Sequence, residues 1–185
     1  QALAICARSA GLTAAVYASI SADRADEVTG IFGTAQDWFH ADFAVCLELG
    51  IVSSSELKSL RTTGAIDKSI SKQDFAFYLV RAMGLEELAK SLETYSMNFA
   101  DSAAISVSRR PYVYLLTTYG VVEGTEENKF EPNSTLNRAV AATMLSRVVS
   151  FVKARGIVRE LPRYTSYSWT AGLVAGVSSG AGGTS

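Results

Sequence analysis

The stretch Gly120-Val121-Val122-Glu123-Gly124-Thr125-Glu126-Glu127-Asn128-Lys129-Phe130-Glu131-Pro132-Asn133-Ser134-Thr135-Leu136-Asn137-Arg138-Ala139 reads as the end of one helix, a polar loop and the start of another. A glycine followed by two branched residues fits a left-handed helix terminus, which glycine adopts without steric cost. Gly124 lies in the loop, where it serves a turn or, as bare backbone, lets a ligand approach closely. Asn137 is a good N-cap for a helix that opens on Arg138.

Working outward, the same pieces recur. Gln1 to Leu12, Asp74 to Leu85 and Val140 to Phe151 align with one another, and each places an arginine seven residues into an otherwise apolar helix: Arg8, Arg81 and Arg147. Leu47-Glu48-Leu49-Gly50-Ile51-Val52 matches Thr118-Tyr119-Gly120-Val121-Val122 at the glycine and the residues after it. A full copy therefore comprises an aromatic-plus-acid entry, a first helix ending in glycine, a loop and a capped second helix. The entries are Phe32 with Asp37-Trp38, and Phe99-Ala100-Asp101. First helices are predicted from about Asp37 to Leu49 and from about Pro111 to Tyr119, proline suiting a first turn. Second helices are predicted behind Ser71, which with Asp74 resembles a capping box, and behind Asn137. The spacers after Gly11 and Gly84 add short helical patterns such as Leu85 to Leu92. The arginines read as structural, at bundle ends or between copies.

Neither helix of a copy can bury its apolar stripe alone. The expected fold is all-α: a pseudo-threefold bundle with a central three-helix core, in which Leu3, Phe75 or Leu79, and Ala141 or Leu145 face one axis. The expected boundaries are 1–163 for this domain, with 1–30 the remnant of a first copy, 31–95 the second and 96–163 the third. Residues 164–185 carry no charge, and Tyr167 to Val177 alternate with period two, predicting a lone strand. Ser178 to Ser185 has a linker composition, expected to lead toward a further domain downstream. Gln1 opens directly in a helical pattern, so the parent chain is expected to begin further upstream.

Composition narrows the function. At 185 residues and 48% apolar the chain is of single-domain size and can bury roughly 68–70% of its unfolded surface. A net charge of −1 offers no basic stripe for nucleic acid. No run long and apolar enough to span a membrane is present. Cys6 and Cys46 lack metal-ligand spacing and read as small buried hydrophobes, with a disulfide as the other reading. His40, the single histidine, follows Trp38-Phe39 and reads as solvent-facing. With one histidine, no metal cluster and no phosphate loop, catalysis has little to work with, and no cofactor is expected.

The opening stretch is similar to the S-layer homology motif, whose pattern runs glycine-isoleucine-valine, x-glycine, a polar loop, phenylalanine-x-proline, then a helix opening on isoleucine-threonine-arginine-alanine-glutamate. Leu136-Asn137-Arg138-Ala139-Val140 stands at that opening, with threonine and glutamate replaced. In the middle copy Gly50-Ile51-Val52 and Trp38 fit and Ile70-Ser71-Lys72-Gln73-Asp74 stands for the opening. Ser54 replaces its loop glycine, however, and phenylalanine-x-proline is missing. The first copy keeps only its second helix.

The resemblance implies a noncatalytic, extracellular anchoring module, associated with the cell wall or S-layer and binding an acidic, often pyruvylated, secondary cell-wall polysaccharide in grooves between motifs. Self-association in a surface layer is a further implied partner mode. Ser71 and Lys72 then mark one groove, Asn137 and Arg138 another, with Gly124 and Trp38 as further contacts. A helix N-terminus with a first-turn cation suits a carboxylate, and Arg138 grips one in two-pronged fashion where Lys72 offers a point charge. Each residue also has a plainer reading: Lys72 and Arg138 as solvated side chains, Trp38 as a core anchor. Cations at a helix start oppose the macrodipole, which favours function. The competing function is a structural spacer of a surface layer that has lost glycan binding.

Overall fold

The computed structural model describes residues 1–33, 37–156, 158–161 and 163–168, and it is all-α with one short hairpin. Two compact units divide the chain: residues 1–67 with 152–185, and residues 68–151. Among the described residues, no helix is long and apolar enough to cross a membrane.

In the first unit α4 (His40–Glu48) packs against α1 (Ala2–Arg8), α2 (Ala14–Asp23) and α3 (Ala25–Phe32). Phe43, Val45 and Cys46 of α4 are buried, as are Leu3 and Cys6 of α1, Ile20 of α2, and Val28 and Phe32 of α3. Both cysteines are unbonded, and the Cys46 thiol donates to the Leu3 carbonyl at 3.3 Å. Burial pushes the Cys6 thiol up to about 12, so these are inert core residues. Asp42, 2% exposed, is the buried charge of this core. Arg8 donates to its two oxygens at 3.0 and 2.7 Å, and the Tyr17 hydroxyl donates to one of them.

The middle-copy loop is itself partly helical: α5 (Ser54–Thr62) begins in a full capping box, the Ser53 hydroxyl accepting the Glu56 N–H and the Glu56 carboxylate accepting the Ser53 N–H. Those two reciprocal bonds satisfy donors that a helix start otherwise leaves free. Leu57 anchors α5 in the core.

The strand expected to stand alone has a partner. β1 (Val158–Leu161) and β2 (Thr165–Ser168) form an antiparallel hairpin with Leu161 opposite Thr165. The hairpin satisfies backbone groups that a lone strand would leave open. Its turn is tied to α2 through Asp23, which accepts from the Tyr164 hydroxyl at 2.8 Å and pairs with Arg163 at 3.4 Å. The alternating pattern beyond Ser168 lies outside the described residues.

The second unit holds α6 (Lys72–Ala82), α7 (Glu86–Lys90), α8 (Arg110–Thr118) and α9 (Arg138–Arg155) through Phe151. α8 packs on α6 and α7, burying Phe75, Leu79, Val113 and Leu116. The Phe77 ring meets Tyr112 edge-on at 4.8 Å, and the guanidinium groups of Arg109 and Arg81 lie 4.0 and 4.2 Å from its centre. Tyr119 stacks on Phe151 at 4.1 Å.

The two expected helix-ending glycines behave alike. Gly50 and Gly120 have φ of 66° and 68°. Ile51 N–H reaches Cys46 O at 2.8 Å with Gly50 N–H on Leu47 O at 3.2 Å, and Val121 repeats this on Leu116 with Gly120 on Thr117. That is the Schellman pairing, twice. The threefold arrangement involves helices of both units and stands as a proposal.

Candidate functional site

Four of the six expected contact residues meet at one backbone junction in the second unit. Ser71 pairs with Thr135 in an isolated antiparallel bridge. Around it the Leu136 N–H donates to Ile70 O at 2.9 Å, Lys72 N–H to Ser134 O at 3.0 Å and Gln73 N–H to Pro132 O at 3.1 Å. The Gln73 side chain, buried, clamps the same loop: its amide donates to Asn133 Oδ1 at 2.8 Å and its oxygen accepts the Ser106 N–H at 2.9 Å. This junction sets the starts of α6 and α9 side by side.

The two starts differ in what they leave open. At α6 the Ser71 hydroxyl accepts the Asp74 N–H at 3.2 Å. With Lys72 and Gln73 already donating to the 132–134 carbonyls, the first three N–H groups of α6 are all engaged. Sequence reasoning expected open donors there; the neighbouring loop fills them. Asp74 in turn accepts from Ser71 Oγ at 2.7 Å and Arg109 Nε at 2.8 Å. At α9 the Asn137 side chain accepts the Val140 N–H at 2.9 Å, as a cap does. Among the described residues, the N–H groups of Arg138 and Ala139 have no partner, and the exposed Arg138 side chain makes no hydrogen bond or ion pair. α9 therefore keeps the donors and the cation that an anion needs.

Lys72 is half-buried, its ammonium 4.9 Å from the centre of the Phe130 ring. Burial lowers its pKa from the ordinary lysine value, while Glu131 and Asp101 act in the opposite direction. Phe130 is buried against Phe99 at 5.7 Å.

Asp101, which the sequence marked only as part of an entry, organises this loop. Its carboxylate accepts the N–H groups of Phe130 at 2.8 Å and Glu131 at 2.7 Å, and the latter residue has a φ of 59°. An acid two residues after an aromatic was the available signal. Gly124 has a steric role in the loop: a Cβ there would stand 2.9 Å from Asn128 Oδ1 and 3.2 Å from Asn128 Cα.

Trp38 belongs to the first unit and is no core anchor: it is 61% exposed, in the turn before α4, touching Phe39 edge-on at 5.8 Å. It lines a cleft of about 500 Å³. His40 is corrected in the opposite sense. Its ring stacks on Phe39 at 5.2 Å, Nδ1 accepts the Asp37 N–H at 2.8 Å, and Nε2 is buried with no partner among the described residues. The preceding aromatics cover it. The three recurrent arginines all reach carboxylates: Arg8 to Asp42, Arg81 to Glu86 at 2.9 Å and Arg147 to Glu123 at 2.6 Å.

The family model of the S-layer homology domain matches residues 98–142, the segment from the Phe99 entry through α8 to the first turn of α9. No curated protein and no solved structure matches the chain. Domains of this family are generally noncatalytic anchoring modules that bind secondary cell-wall polymers. With its glycine-terminated helix, Asp101-held loop and Asn137-capped second helix, the segment 98–142 is similar to an S-layer homology domain.

Proposed function

We propose that the chain is a noncatalytic anchor for an acidic secondary cell-wall polysaccharide, one bearing pyruvyl-type carboxylates, which it holds at the start of α9. The observation that carries this reading is the pairing of two unengaged N–H groups, on Arg138 and Ala139, with an exposed guanidinium that has no partner among the described residues. A first-turn cation opposes the helix dipole and contributes nothing to capping, whereas a bound carboxylate reverses both deficits. Asn137 fixes the helix start, Lys72 and Ser71 lie across the bridge from it, and Gly124 keeps its loop tight; Trp38, in the first unit, is an exposed aromatic face suited to a sugar ring. Three motif copies, the first truncated, remain part of this proposal.

Co-sedimentation with purified wall polymer tests it. Arg138→Ala removes charge-assisted contacts of about 1.5–3 kcal/mol, so affinity falls roughly ten- to a hundredfold, while the melting temperature stays within a degree or two. Mild acid hydrolysis of ketal groups on the polymer lowers binding of the parent protein to the same extent. Unchanged binding in Arg138→Ala ends the proposal for this helix start. The spacer reading draws on α6, whose donors are filled by carbonyls of the chain itself; it takes precedence if purified wall polymer is not bound at all.

A further inference from the structure

The first unit contains a feature of its own with ligand-binding chemistry. Its cleft of about 500 Å³ is bounded by Phe32, Trp38, Asp37, Arg61 and Asp67, and that volume lies within the range of small-molecule sites. One wall is aromatic and rigid: Phe32, Phe39 and Phe43 contact one another with centroids 5.0–5.2 Å apart. Trp38 forms the lip. A tryptophan left 61% exposed forgoes much of the burial that its large apolar surface offers. Its edge contact with Phe39 holds it in place, and with two side-chain torsions it loses little freedom when a ligand stacks on it.

Arg61 is held with its guanidinium 5.2 Å from the centre of the Phe32 ring. Among the described residues, neither that group nor the side chains of Asp37 and Asp67 make a hydrogen bond or ion pair. Two carboxylates offer acceptors and one guanidinium offers donors, around an apolar face.

We propose that this cleft binds a neutral, hydroxyl-bearing sugar ring. The ring's apolar C–H face packs on Trp38, which the phenylalanine cluster backs through Phe39, its hydroxyls donate to Asp37 and Asp67, and its oxygens accept from Arg61. Carboxylates and a guanidinium stand together in the cleft, so it has no surplus of cationic donors for the acidic sugar assigned to α9. The guanidinium standing in the cleft disfavours a cationic ligand. The proposal rests on the reading of the chain as a glycan anchor and adds a second subsite of different specificity: an acidic residue of the polymer at α9, a neutral one here.

Saturation-transfer NMR and tryptophan fluorescence with methyl glycosides of glucose and N-acetylglucosamine test it on the whole chain. The expected result is saturable binding of a neutral glycoside, weakened about tenfold or more by Trp38→Ala and also weakened by Asp67→Asn, but untouched by Arg138→Ala. Trp38 is exposed, so its replacement leaves the fold intact, and a circular dichroism melt verifies this. Two results overturn the proposal: no neutral glycoside binds the parent protein, or tetramethylammonium binds this cleft in preference. Retention of acidic wall polymer through Arg138 alongside either result leaves the anchor function standing and removes this subsite alone. Loss of both removes the anchor reading itself.

Discussion

A carboxylate as deeply buried as Asp42 is tolerated only when donors surround it, and Arg8 and Tyr17 supply three. The two partners of the ion pair are unequal, since the Arg8 side chain is 62% exposed and that of Asp42 2%. Removing Arg8 strands a charge in the core; removing Asp42 returns the guanidinium to water. Arg8→Ala therefore costs about 3–5 kcal/mol and Asp42→Ala about 1–3, an asymmetry that urea unfolding measures directly; equal costs contradict it. Lys72 presents the reverse case of a cation that burial disfavours. Its folded pKa is depressed, so the unfolded chain holds the proton more tightly. The penalty is complete below the folded value and fades as pH rises toward about 10.5, the unfolded value. Lys72→Met should raise stability at pH 7 and remove this alkaline gain, which paired melts at pH 7 and 10 would reveal.

Helix ends carried most of what the sequence disclosed. Gly120 has a φ of 68° and open space around its missing Cβ, so Gly120→Ala costs about 1–2 kcal/mol from backbone strain alone. The melting temperature should drop by several degrees without loss of wall-polymer affinity, and a change in affinity alone argues against a purely structural glycine. Gly50 and Gly120, the Ser71 and Asn137 caps and the recurrent arginines were legible because each is a local signal of chain geometry. α5 was not, although Ser53 and Glu56 spell a capping box, because the repeat pattern assigned that stretch to a loop. Trp38 and His40 exchanged their expected environments, since burial there depends on how Phe32, Phe39 and Phe43 cluster, a matter of tertiary packing. At the site, the sequence named Ser71, Lys72, Asn137 and Arg138. It gave no hint that residues 132–134 would cover one helix start and leave the other open, because hydrogen bonds between remote segments leave no periodic trace.

At the scale of the whole molecule, the proposed threefold arrangement predicts contacts among α1, α6 and α9. Nuclear Overhauser effects between the side chains of Leu3, Leu79 and Ala141 are the expected observation, and their absence would retire the arrangement without touching the family match at 98–142. The junction at Ser71 and Thr135 has a different consequence. It joins segments such as Gln73 and Asn133 that lie 60 positions apart. Closing so long a loop carries an entropic cost that local helix formation does not share, and non-local contacts of this kind slow folding. The α6 and α8 helices can form early, whereas the bridge waits for the chain to return. The start of α9, where the proposed site lies, is then among the last parts of its unit to mature, and the amides of Lys72, Gln73 and Leu136, all donors in that bridge, keep time for it: their slow exchange with solvent begins only when the junction is complete.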